Sequence, residues 1–98
     1  MSNIFPAFEF GRLMMTKAIS DRVNQDDGFR AFIVQCFDRY LHCDWGNLEK
    51  SDRIMNDKAL IRKGRLLASY KYPETEEIIW IITEADRSTT TILYRHEY

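Results

Sequence analysis

Phe29-Arg30-Ala31-Phe32-Ile33-Val34-Gln35-Cys36-Phe37-Asp38-Arg39-Tyr40-Leu41 is the stretch on which the fold turns. Phe29, Phe32, Ile33, Cys36, Phe37, Tyr40 and Leu41 fall at i, i+3, i+4, i+7, i+8, i+11 and i+12, the spacing of one apolar face on a helix. Asp26 and Asp27 stand where they can cap its first turn and oppose the positive end of its dipole. A helix this apolar needs a surface to bury itself against, and the C-terminal third of the chain offers one. Ile78-Ile79-Trp80-Ile81-Ile82 is apolar on both faces of an extended chain and reads as a central strand. Phe32, Phe37, Trp80 and Ile82 are therefore expected to be largely buried.

The flanks follow from these two elements. Before the helix, Arg12 to Met15 reads as a strand with Gly11 as a bulge, and Thr16 as the N-cap of a short helix carrying Ile19 and Val23. After it, Asp44-Trp45-Gly46 is a stop. Ser51-Asp52 opens a third helix that runs to about Lys63, with Gly64 ending it. Leu66, Ala68, Tyr70 and Tyr72 alternate with polar neighbours, Pro73 to Glu76 is a turn, Glu84 to Ser88 is a polar loop, and Thr89 to Arg95 is β-branched. The reading is an α+β class domain spanning residues 1–98, with residues 1–9 as an N-terminal arm. Its antiparallel sheet has about four strands, one N-terminal strand plus a C-terminal three-stranded meander, and two to three helices pack on one face.

Composition limits the function classes. The 98 residues suit one domain, and with 45% hydrophobic residues the chain can build a core without disulfides or metal. Its 14 basic and 15 acidic residues leave a net charge of −1. That balance excludes a strongly basic nucleic-acid binder and a strongly acidic imitation of DNA, leaving only local patches for either task. No apolar run approaches a membrane span, and Met1 to Met15 lack the basic start and unbroken apolar stretch of a secretory signal. Cys36 and Cys43 lie about 10 Å apart along one helix, too far for a disulfide. Reduced thiols and a cytoplasmic location are expected.

Several segments together carry a resemblance: Phe10-Gly11-Arg12 with Met15-Thr16, Asp44-Trp45-Gly46-Asn47-Leu48, Asn56-Asp57, Arg65-Leu66-Leu67-Ala68-Ser69-Tyr70, Ile79 through Ser88, and Glu97-Tyr98. From Phe10 onward the chain resembles a family of small bacterial proteins found on plasmids and integrative elements. Some members are labelled plasmid-related proteins or restriction-modification subunits. The resemblance implies a mobile-element setting and assigns no catalytic residue. An adenine methyltransferase would need a glycine-rich cofactor turn and a short proline-containing motif, and the chain has neither.

The candidate sites are local. Glu84, Asp86 and Arg87 form a polar loop that either binds a partner or pairs and caps within itself. Trp45 is either an anchor for a partner or a cover for the end of the long helix. Phe5, in the arm, is left for an intermolecular contact, so a homodimer is one expected outcome. Lys50, Arg53, Lys58, Arg62, Lys63 and Arg65 make the third helix basic, with Glu49, Asp52 and Asp57 interleaved. Cys36, His42, Cys43 and His96 match no zinc spacing, so neither metal nor cofactor is expected.

Three functions remain open. The first is a non-enzymatic protein-interaction module of a mobile element, an inhibitor or modulator of a host nuclease or defence complex. The second is an RNA-cleaving toxin, because the element order resembles that of the small ribonuclease toxins. Arg65, Arg87 and Arg95 would then stabilise phosphate charge, and His96 or Tyr98 would move a proton. The third is a DNA-binding regulator, although no clean helix-turn-helix recognition face is present.

Overall fold

The structure, a computed structural model, describes residues 6–98. In chain order the elements are β1 (Arg12–Met15), α1 (Lys17–Gln25), α2 (Asp27–Leu41), α3 (Lys50–Arg62), β2 (Leu66–Lys71), β3 (Ile78–Thr83), β4 (Thr89–Tyr94) and a 3-10 turn, Arg95–Glu97. Thr16 caps α1 by accepting from the Ile19 amide at 3.3 Å. Asp26 caps α2 by accepting from the Phe29 amide at 3.0 Å. At the end of α3 the left-handed residue is Lys63 (φ 57°), so the stop falls one residue before the expected Gly64.

The four strands lie in the order β1-β4-β3-β2. β2, β3 and β4 form the expected antiparallel meander, with Ser69 opposite Trp80 and Trp80 opposite Leu93. β1 pairs with β4 in parallel, Arg12 opposite Thr89 and Met15 opposite Ile92. The sheet is therefore mixed, which corrects the expectation of a fully antiparallel one. The reason is directional: two antiparallel turns give β4 the direction of β2, and the crossover through three helices gives β2 the direction of β1. Gly11 makes this junction possible. Its φ is +65°, and a Cβ there would stand 2.3 Å from the carbonyl oxygens of Arg87 and Ser88.

The core lies between the helices and one face of the sheet. From α2 it takes Phe29, Ile33, Cys36 and Tyr40; from the strands it takes Leu66, Ala68, Tyr70, Ile79, Ile81 and Ile92. Phe32 and Phe37, expected to be largely buried, are half-buried because they flank that stripe. Trp80 is also half-buried, on the face turned away from α1 and α2, whereas Ile82 on that same face is buried as expected.

A chain of hydroxyls crosses this core. The Tyr40 hydroxyl bonds Thr83 Oγ1 at 2.6 Å, Thr83 bonds Thr90 Oγ1 at 2.6 Å, and Thr90 donates to the Phe10 carbonyl at 2.8 Å. It ties α2, β3, β4 and the chain entering β1 together, and each polar group has a partner. Among the described residues, no helix is long and apolar enough to cross a membrane.

Candidate functional site

Strand alternation gives the sheet a second face. Leu67, Ser69 and Lys71 of β2, Ile78, Trp80 and Ile82 of β3, Thr89, Thr91 and Leu93 of β4, and Arg12 and Met14 of β1 point away from the helices. Across the sheet this makes two rows, Leu67–Ile82–Thr91–Met14 and Ser69–Trp80–Leu93. The C-terminal turn returns over them: the Tyr98 ring lies 5.3 Å from that of Trp80, and the Arg65 guanidinium lies 5.2 Å from the Tyr98 ring. Glu97 fixes this turn by accepting from the Tyr94 amide and from the Thr16 hydroxyl, each at 2.9 Å.

The margins of this face carry basic groups with acidic ones interleaved, Asp52 beside Leu67 and Arg65, and Glu76 and Glu77 beside Ile78 and Arg95. Arg12, Arg65, Lys71 and Arg95 are all exposed at its margins, and Lys71 is met by Glu76 at 3.1 Å. The strip between them is aliphatic apart from Trp80, and that ring is already partly covered by Tyr98. Arginines on the rim of an apolar strip suit an apolar surface that carries acidic groups of its own.

The residues singled out in the sequence fall in different places. Arg87 has a left-handed backbone (φ 61°), and its guanidinium donates to the carbonyls of Gly64 at 2.6 Å and Ala59 at 3.1 Å. It thereby holds the end of α3 against the β3–β4 loop. Asp86 accepts from the Ser88 amide at 2.9 Å, and the Ser88 hydrogen bonds hold its carboxyl below the ordinary value. Glu84 is exposed at the same loop, and its carbonyl accepts from the Arg87 amide. Trp45 is only 3% exposed; its indole N–H donates to Asp57 and its ring packs against Phe8 and Tyr40. It covers the end of α2 and offers a partner almost no surface. Phe5 lies outside the described residues.

Of the five ribonuclease candidates, Arg65 and Tyr98 meet over the open face. Arg87 is turned into α3. Arg95 and His96 follow the strand residue opposite Ile79, whereas Arg65 precedes the one opposite Thr83, so they start from opposite ends of β3. His96 stacks on Tyr94 at 5.0 Å, and no hydrogen bond joins it to Tyr98. Among the described residues, no three His, Cys, Asp or Glu side chains cluster closely enough to hold a metal ion. Both cysteines are free thiols; burial pushes Cys36 up to about 12 and raises Cys43 as well, which suppresses the reactive thiolate.

Sequence reasoning missed the open face, although its signal was present. Ile78 to Ile82 is apolar at every position, and only one set of alternate side chains can meet the single helical layer. No family model, no curated protein and no solved structure matches this chain.

Proposed function

We propose that this chain is a non-enzymatic protein-binding module that docks an acidic, apolar surface of its partner onto the uncovered sheet face. The observation that carries this reading is the sheet face away from α1 and α2, where Leu67, Ile78 and Trp80 are half-buried around the buried Ile82 and Leu93, bordered by Arg12, Arg65, Lys71 and Arg95. A small domain that leaves half-buried Leu, Ile and Trp side chains at the surface gives up burial it could use for its own stability. The resemblance to mobile-element proteins favours a host nuclease or defence complex as the partner. Stacking on nucleic acid is less well served, because Tyr98 lies between Trp80 and Arg65 and the rest of the strip has no aromatic ring.

The test compares four proteins as bait in extracts of a bacterial host. Wild type and His96→Ala should retain the same partner in near-stoichiometric amount, and Trp80→Lys should lose it while keeping the wild-type circular dichroism. Ser69→Arg, beside Trp80, is a milder block on the same face and should weaken retention. Equal retention by all four proteins would defeat the sheet-face reading. RNA cleavage by pure wild type that disappears in His96→Ala would replace it with the ribonuclease reading.

A further inference from the structure

The two edges of the sheet are finished in opposite ways. Along the outer edge of β2 the outward-pointing groups are met one after another. The Leu67 amide donates to Asn56 Oδ1 at 3.2 Å, and Asn56 Nδ2 donates to the Leu67 carbonyl at 2.5 Å. The Ser69 amide donates to the Trp45 carbonyl at 3.2 Å, and the Ser69 carbonyl accepts from the Asn47 amide at 2.6 Å. The Lys71 amide donates to Asn47 Oδ1 at 3.0 Å. Gly46 lets this segment lie against β2, since a Cβ there would stand 2.1 Å from the Ser69 carbonyl oxygen. No further strand can add on that side.

The β1 edge has no such cover among the described residues. The Arg12 amide donates to Ser88 and the Thr16 amide to Ile92, both toward β4. Alternation therefore directs the N–H and C=O groups of Leu13 and Met15 outward. Leu13, Met14 and Met15 are 38%, 44% and 39% exposed, and α1 packs over β4 rather than over β1. Apart from its shortness, four residues, the strand carries no protective device of an exposed edge: no proline, no bulge and no charge beyond Arg12.

We propose that β1 pairs antiparallel with β1 of a second copy of this chain, about a two-fold axis at Met14, joining two four-stranded sheets into one. The register argues for a second copy rather than an unrelated strand. With the axis at Met14, the outward groups of Leu13 face those of Met15 in the other copy, and each pair exchanges two hydrogen bonds. Arg12 then stands opposite Thr16 of the other copy, so the two guanidiniums are not brought face to face. Met14 meets Met14 in the close, non-hydrogen-bonded position, with Cβ atoms about 4.5–5.5 Å apart. Leu13 and Met15 gain apolar neighbours on the helix side.

That Met14 pair supplies the test. Sedimentation equilibrium of the full chain should show a concentration-dependent twofold rise in mass. Met14→Lys and Met14→Glu should each remain monomeric, because each places like charges directly opposite one another, and should melt like wild type diluted until it too is monomeric. An equimolar mixture of the two should recover the twofold mass. Trp80→Lys, two strands away, should dimerise like wild type, so the edge and the docking face succeed or fail separately. The proposal is overturned by a wild type that stays monomeric throughout, by single variants that still dimerise, by a mixture that does not recover, or by Trp80→Lys becoming monomeric.

Discussion

The two faces of this sheet are built from the same strands and do different work. On the helix side Leu66, Ala68, Ile79 and Ile81 have no exposure at all, and the hydroxyls there, Thr83 and Thr90, are bonded to each other and to Tyr40. On the other side Ile82 and Leu93 are buried at the middle of the face, but Ser69, Trp80, Thr89 and Thr91 around them are half-buried, and the hydroxyls need no protein partner because water can reach them. A polar group is admitted to the first face only when its hydrogen bonds are complete; the second tolerates incompleteness. Stability is thus concentrated on one face, and the other is free to vary with whatever it meets.

The sharpest way to break this contrast is to open a cavity on each face. Phe29→Ala, beneath α2 with Tyr72 and Tyr94 around it, should lower stability by roughly 3–5 kcal/mol. Trp80→Lys should cost less than half as much despite removing a larger ring, and Phe37→Ala, at the margin of the stripe, should also fall below Phe29→Ala. Urea denaturation of the three variants measures the order. Equal losses for Phe29 and Trp80 would mean that the second face is as well packed as the first.

A smaller effect comes from the hydroxyl chain. Tyr40→Phe removes one end of it and leaves Thr83 still bonded to Thr90, so a loss of about 1 kcal/mol is expected. Thr83→Val removes the middle member, leaves Tyr40 without its side-chain partner and should cost more. If Thr83→Val proves the milder change, the chain does not act as a connected unit.

The smallest effect is electrostatic. Arg22 bonds Glu77 and, at 3.1 Å, the Tyr94 hydroxyl, and its guanidinium lies 4.2 Å from the centre of the Phe29 ring. The hydrogen bond from Arg22 holds the Glu77 carboxyl below its ordinary value of 4.5. A carboxyl depressed on folding stabilises the fold above its unfolded value, and that contribution is lost as pH falls through the folded one. Glu77→Gln should therefore flatten the decline in stability as pH falls from about 4.5 toward the depressed folded value, and the two proteins should converge only below that value. Thermal melts across that range test the sign.

Much of this architecture was legible. β1 spans the residues that the alternating Leu13 and Met15 suggested, and the Asp26 cap and the α2 stripe fall where their spacing put them. The orientation of β1 was not legible, because alternation is the same in parallel and antiparallel strands; the three intervening helices held the directional information. α3 was only faintly patterned for a physical reason. Ile54, Met55 and Ile61 are exposed, Ala59 and Leu60 are only partly buried against the core, and the one buried residue of the helix is Asn56, a polar residue that no hydrophobic period reveals. The candidate site was the least legible part. Trp45 and Arg87 attract notice as residue types, yet each is spent on internal contacts, whereas the open face becomes visible only once the helices are known to lie on one side.

The parallel pairing of β1 with β4 joins the earliest strand of the chain to the latest. As a chain emerges from the ribosome, β1, α1, α2 and α3 are all made before the strand that β1 needs, and β2 and β3 can zip together while β1 is still alone. During that interval Leu13, Met14 and Met15 have no neighbour on either side. Closing this long loop carries the largest chain-entropy cost of the sheet's strand pairings, and β4 is its latch. A polypeptide released before Thr89 would have its helices and a hairpin but no strand to receive β1, and the apolar Leu13 to Met15 would be left open to chaperones and proteases.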